Sequence, residues 1–121
     1  MRHSGLMVGA LLMAAACSPS RAFMDTVNST PTIAEAARLI ADAQQAGADS
    51  LASEAITAAR QALEAARGFE QRAQRSLAQV EALRAQAEAR YARAVAEREV
   101  AQREETRARA ALAALPPERS R

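Results

Sequence analysis

The sequence has no lysine and no tryptophan, one histidine (His3), one cysteine (Cys17), one tyrosine (Tyr91) and two phenylalanines (Phe23 and Phe69). Each shortage removes a class of chemistry. Without lysine there is no Schiff-base amine, and every side-chain cation beyond His3 is an arginine. A single cysteine forms no internal disulfide and makes no thiolate metal cluster. Aromatics at 2% leave no stacking platform, and the net charge of +2 is spread along the chain. A nucleic-acid surface, which combines a basic patch with aromatic or base-reading side chains, is therefore not expected.

What is present is alanine. Half of the 121 residues are hydrophobic, and alanine dominates that half. At roughly 25 cal/mol per Å² of buried apolar surface, a methyl group stabilises a core weakly. The chain leans instead on helix propensity, in which alanine ranks best.

The first residues read as an export signal. Met1-Arg2-His3-Ser4-Gly5 is a short basic start, residues 6–13 form an apolar run, and Ala14-Ala15-Ala16 supplies the small residues a signal peptidase accepts. The apolar run is too short to cross a bilayer core of about 30 Å, which takes around 20 residues. Two outcomes fit these residues. Cleavage before Cys17 yields a chain that begins with the cysteine; an ordinary signal-peptidase site, Ala14-x-Ala16, yields a soluble periplasmic protein with a free thiol. An unpaired thiol sits poorly in an oxidising compartment.

Ala14-Ala15-Ala16-Cys17-Ser18, behind its apolar run, resembles the lipobox of bacterial lipoproteins, with Ala14 where that family most often carries leucine. The resemblance implies lipid attachment at Cys17, cleavage between Ala16 and Cys17, and palmitate among the acyl groups. Each buried methylene contributes about 0.8 kcal/mol, so one acyl chain anchors marginally and several anchor stably. Ser18 after the cysteine, where the sorting pattern of enterobacterial lipoproteins places aspartate for the inner membrane, implies the outer membrane. The domain plan is a signal peptide over residues 1–16, a lipidated Cys17 with a flexible tether over residues 17–30, a helical domain over residues 31–115 and a disordered tail over residues 116–121.

The tether is predicted from turn formers and helix breakers, among them Pro19, Asn28 and Pro31. Thr32 and Glu35 have the spacing of a capping box at the start of a first helix, with Ile33, Ala36, Ala37, Ile40 and Ala43 at helical intervals. Gly47 is placed to end that helix. Asp49, Ser50 and Ser53 are candidate caps for a second helix, whose apolar stripe includes Ala55, Ile56, Ala59, Leu63 and Ala66. Gly68 predicts a turn or kink. From residue 70 to 115 neither glycine nor proline occurs, which predicts one helix on the order of 65–70 Å long. A 3–4 spacing runs along it through Leu77, Val80, Ala87, Tyr91 and Ala94 to Leu112 and Leu115, interrupted by Arg84, Arg98 and Glu105. Glu99 with Arg103 and Glu105 with Arg109 are spaced as ion pairs. Pro116-Pro117 stops the helix.

The run from Ala41 through Gln44-Gln45-Ala46-Gly47-Ala48-Asp49 to Ala52, followed by Ala59-Arg60-Gln61-Ala62-Leu63, resembles the DUF4398 domain across about residues 32–110. That family comprises alanine-rich helical domains often found in bacterial lipoproteins. The resemblance implies an all-α fold and carries no catalytic residues.

The expected fold is all-α: two short helices and one long helix, antiparallel, with the long helix overhanging. A nearly continuous helix that trimerises through an alanine seam is the alternative. Tyr91 is expected to pack against the shorter helices with its hydroxyl in water. Glu97, Glu99, Glu104 and Glu105 alternate with arginines and read as a solvated helix face. Ser50, Ser53 and Ser76 lack a base, and the isolated glycines form no phosphate loop. The sequence predicts no enzyme, no catalytic residue, no cofactor, no metal and no small-molecule substrate. The expected partners are the membrane, through the lipid, an envelope protein and further copies of the chain.

Overall fold

The computed structural model describes residues 28–118, so Cys17, the signal segment and most of the tether lie outside the described residues, as do residues 119–121. Four helices follow one another: α1 (Thr30–Gln45), α2 (Ala48–Leu51), α3 (Ser53–Gln71) and α4 (Arg75–Ala113). The expected two short helices and one overhanging long helix are recovered, with α2 as an added single turn. Packing between α3 and α4 is the most extensive, followed by that between α1 and α4.

Helix α1 begins at Thr30, with Pro31 in its first turn. The Asn28 side-chain carbonyl accepts the Thr30 N–H at 3.1 Å. Thr32 and Glu35 do not form the capping box. The helix starts two residues ahead of Thr32, and the Arg38 guanidinium holds both Glu35 carboxylate oxygens, at 2.7 and 2.8 Å. The start of α1 is instead tied across the fold. The Ser29 hydroxyl donates to Glu70 Oε1 at 3.1 Å, and the Thr30 hydroxyl donates to the same oxygen at 2.8 Å. Ile33, Ala36, Leu39, Ile40 and Ala43 face the core.

Gly47 ends α1 as its position suggests. Its φ of 90° lies in the left-handed region, which costs glycine nothing, and its N–H donates to the Gln44 carbonyl at 2.9 Å. The expected caps of the second helix make no side-chain capping bond. Asp49 pairs with Arg60, and the Ser50 hydroxyl donates back to the Gly47 carbonyl at 3.3 Å. Ala52, at φ −143° and ψ 45°, separates α2 from α3.

The turn expected at Gly68 lies elsewhere. Gly68 is inside α3, and the chain reverses over residues 72–74. The hydrogen bonds there are those of a Schellman motif: Gln74 N–H to the Phe69 carbonyl and Ala73 N–H to the Glu70 carbonyl, both 2.9 Å. Ala73 occupies the left-handed position at φ 58°, where glycine is usual. The Arg72 guanidinium lies 4.9 Å from the Phe69 ring centroid and covers the corner. Carrying α3 through Gly68 brings Glu70 to Ser29 and Thr30, so tertiary contacts outweigh the glycine's small helical penalty.

Helix α4 has 39 residues, a length of about 58 Å at 1.5 Å per residue. Its buried seam is Ala78, Ala82, Ala85, Ala89, Ala92 and Ala96, a 4-3-4-3-4 spacing made only of methyl groups. This corrects the phase predicted for the helix. Leu77, Val80 and Tyr91 are exposed on the other side. The larger core side chains all come from α1 and α3: Ile33, Leu39, Ile40, Ile56 and Leu63. They fill the space between the helices, and alanine on α4 lets both neighbours approach it closely. A leucine seam would force them apart or overpack the core. From residue 101 onward every described residue is exposed, so the last turns of α4 project beyond α1 and α3.

Candidate functional site

The relative directions of the helices follow from their contacts. Gln86 of α4 reaches Thr32 at the start of α1, while Arg93 and Glu97 line a groove with Asp42 and Gln45 near its end. Helices α1 and α4 therefore run the same way. Helix α3 runs against them: its first residues, Ser53 to Ala58, border Glu88, Tyr91 and Val95, and its end meets Ser29. The base of the bundle gathers the start of α1, the end of α3 and the start of α4. The projecting end of α4 is at the far end.

Two open grooves run along the bundle. One, of about 590 Å³, is bordered by Asp42, Gln45, Arg93, Glu97, Val100 and Glu104. The other, of about 510 Å³, is bordered by Leu51, Ala55, Ala58, Glu88, Tyr91 and Val95. Tyr91 forms one wall of the second groove, beside Leu51 and Ala55 of the shorter helices, and stays 62% exposed. Among the described residues, every buried side-chain polar atom has a partner, and no group of three histidine, cysteine or carboxylate side chains is placed to hold a metal ion. No described helix is long and apolar enough to cross a membrane.

Of the four carboxylates singled out in the sequence, Glu97, Glu104 and Glu105 are exposed and Glu99 is half-buried, and Glu97 and Glu105 pair with arginine while the predicted Glu99–Arg103 pair does not form. Glu97 meets Arg93 at 2.7 Å and Glu105 meets Arg109 at 2.5 Å. Hydrogen bonding and charge from Glu97 raise the Arg93 pKa. On α1, Arg38 lies between Glu35 and Asp42, with both contacts at 2.7 Å. Its hydrogen bond and its charge hold the Glu35 carboxyl below the ordinary value, and the Arg38 pKa is raised in turn. These pairs are solvated and order the surface without making an acid–base site. Ser50 and Ser53 lie at the α1–α3 corner, where the Ser50 hydroxyl donates to the Gly47 carbonyl, and Ser76 lies in the first turn of α4.

Gln86 has a role that composition and spacing do not reveal. It is the buried polar side chain of α4, 7% exposed beside the alanine seam. Its amide Nε2–H donates to the Thr32 carbonyl at 3.0 Å, and its Oε1 accepts from Arg90 at 3.4 Å. A seam of identical methyl groups on α4 discriminates poorly between neighbouring registers. A directional bond from Gln86 to one carbonyl of α1 fixes the axial position of α4. Gln86 sits in a run of alanine, glutamine and charged residues, and no local pattern distinguishes it.

The feature that stands apart is the outward face of α4. Val80 is 60% exposed and Leu112 is 68% exposed, with Leu77, Leu83, Tyr91 and Leu115 exposed beside them. All but Leu83 follow the 3–4 spacing traced in the sequence, with Arg84, Arg98 and Glu105 set among them. Singly exposed leucines are ordinary; here the exposed apolar side chains gather at two places on α4, over residues 77–91 and at Leu112 and Leu115, with alanine and charged residues on the spacing between them.

No protein-family model, no curated protein and no solved structure matches the chain.

Proposed function

We propose that the chain is a non-enzymatic lipoprotein of the bacterial cell envelope, held by acyl chains on Cys17 in the outer membrane and facing the periplasm, where its helical bundle serves as an interaction and spacing module. The observation that carries this reading is the lipobox-like Ala14-Ala15-Ala16-Cys17 behind the apolar run of residues 6–13. The resemblance of residues 32–110 to the DUF4398 domain supports it. So does the arrangement of the bundle: the chain enters at the base, beside Ser29, and α4 extends to the opposite end. A module tethered at its base presents the outward face and tip of α4 to the periplasm. The work is then done by surface and length, and the membrane and an envelope protein are the partners.

The test is expression of the wild-type chain and Cys17→Ser in bacteria, followed by membrane fractionation and intact mass. Wild type is expected in the membrane fraction with the added mass of acyl groups, and Cys17→Ser is expected to lack that mass. A soluble wild-type chain with an unmodified cysteine at its start would instead establish a soluble periplasmic binding or chaperone-like protein. The exposed apolar face of α4 would serve that second reading equally.

A further inference from the structure

The α3–α4 corner has the backbone of a turn and the sequence of a helix. Glu70-Gln71-Arg72-Ala73-Gln74-Arg75 contains neither glycine nor proline, and all six residues are of the types with the highest helix propensity. The chain reverses there all the same, with Ala73 at φ 58°, in the left-handed region that an L-residue enters at a cost. We propose that this corner is a hinge: it straightens to join α3 and α4 into one helix, and two copies of the chain exchange α4 to form a domain-swapped dimer. The inference goes beyond the envelope reading and does not depend on the anchor.

The first support is local. Straightening gives up the bonds of the corner, Gln74 N–H to the Phe69 carbonyl and Ala73 N–H to the Glu70 carbonyl. It replaces them with the i→i−4 bonds of a continuous helix over residues 53–113, in which Ala73 is right-handed. Arg72 stays three residues from Phe69 on one helix face, so their contact is compatible with the straight form. Relief of the left-handed alanine alone favours that form by roughly 5–30-fold per copy. Short hinges under strain are the setting in which identical elements exchange between copies.

The second support is the core, which selects the occupant. Ile33, Leu39 and Ile40 of α1 and Ile56 and Leu63 of α3 lie under the alanine seam of α4. A copy that straightens alone withdraws the seam and exposes them. Whatever covers them must bring methyl groups at the same 4-3-4-3-4 spacing and an amide for the Thr32 carbonyl. The α4 of a second copy brings both, and Gln86 of one chain then donates to Thr32 of the other.

The third support is topology. Ser29 and Thr30 are bonded to Glu70, on the α3 side of the hinge, so α1, α2 and α3 stay together as one unit and α4 moves as the other. Helix α3 runs against α4, and a two-fold axis at Ala73 therefore carries each α4 into the other copy's unit in the direction it has in the monomer. The contacts of α4 with α1 and α3 are remade between copies, twice over, and the symmetry is closed. The product is a rod of about 120 Å from one α4 tip to the other, since each α4 extends about 58 Å from the centre.

The test uses the full chain carrying Cys17→Ser, unfolded in guanidinium and refolded at about 1 μM or about 1 mM, because exchange is driven by concentration. Sedimentation is expected to give the 12.8 kDa monomer at the lower concentration and twice that mass at the higher, with equal helical content. Ala58→Cys and Glu88→Cys, introduced in separate chains, border one groove from α3 and α4. Refolded together at the higher concentration and treated with a short bis-maleimide, they should yield a covalent dimer linked between residues 58 and 88. Either variant alone should not, since like cysteines lie about 45 Å apart in the swapped dimer. Ala73→Gly eases the turn and weakens the straight helix, and is expected to raise the dissociation constant about tenfold or more. Gly68→Ala, helical in both forms, should leave it unchanged. A monomer at about 1 mM, a dimer without the 58–88 link, or a dimer insensitive to Ala73→Gly would each overturn the proposal.

Discussion

Glycine and alanine are placed the wrong way round at the α3–α4 corner, and exchanging them should stabilise the protein. Gly68 is helical, and a Cβ added there meets no atom within 4 Å, so Gly68→Ala removes unfolded-state freedom without a clash. A glycine in a helix interior costs about 0.5–1 kcal/mol relative to alanine. Ala73 is held at φ 58°, a conformation that costs an L-residue roughly 1–2 kcal/mol. Ala73→Gly removes that strain and returns about 0.4–1 kcal/mol of entropy to the unfolded chain, leaving a net gain of about 0.5–1 kcal/mol. The double variant Gly68→Ala/Ala73→Gly should therefore gain about 1–2 kcal/mol. For a domain of this size that corresponds to a rise in Tm of about 5–15 °C. The measurement is urea unfolding followed by far-ultraviolet circular dichroism at one fixed protein concentration, since any self-association would shift the midpoint. Each single variant should raise the midpoint without changing the slope. A lower midpoint for Gly68→Ala would mean that the chain turns at Gly68 after all. A lower midpoint for Ala73→Gly would mean that the positive φ is not a source of strain.

Two further perturbations test the bundle. Gln86→Leu keeps a side chain of similar volume and removes the bond to the Thr32 carbonyl, so a loss of about 0.5–1.5 kcal/mol is expected in the same unfolding assay; unchanged stability would show that alanine packing alone sets the register. The Glu35 carboxyl, held down by its hydrogen bond to Arg38 and by the charge of that guanidinium, should titrate below the ordinary value of 4.5. A lowered folded pKa means that the ion pair contributes fully above pH 4.5 and loses its contribution as the pH falls through the folded value. Carbon-13 titration of Glu35 reads this directly. Arg38→Gln should move the carboxyl back up, and no movement would remove Arg38 as the cause.

The helical class is legible in the sequence because alanine favours helix at every position and Gly47 and Pro116 mark real ends. Gly47 was readable for a physical reason: the end of α1 requires a positive φ, and glycine meets that requirement. The α3–α4 corner was not, because the left-handed position went to an alanine and the nearby glycine was absorbed into a helix. The phase of α4 was obscured in a related way. Leu77, Val80 and Tyr91 make the more hydrophobic stripe, and ranking stripes by hydrophobicity selects them for the core. What decides the inner face is how much volume α1 and α3 bring to it. Ile33, Leu39, Ile40, Ile56 and Leu63 leave room only for methyl groups. The capping box failed for want of tertiary information, since Arg38 claims Glu35 and Glu70 reaches Ser29 and Thr30 from forty residues away. Of the candidate site, the outward stripe of α4 was visible as spacing but not as an exposed surface. Cys17 lies outside the described residues.

The alanine seam also has a calorimetric consequence. The heat capacity of unfolding comes chiefly from apolar surface newly exposed to water, at about 0.45 cal/mol/K per Å². Helix α4 contributes mainly alanine methyl groups to the core, with Gln86 and the half-buried Val95, and its last turns contribute none. The change per residue should then fall below the usual ~12–15 cal/mol/K, giving a flatter stability curve than a leucine-packed bundle of equal length would have. Such a fold holds a modest stability over a broad temperature range, without the sharp optimum that a large apolar core imposes.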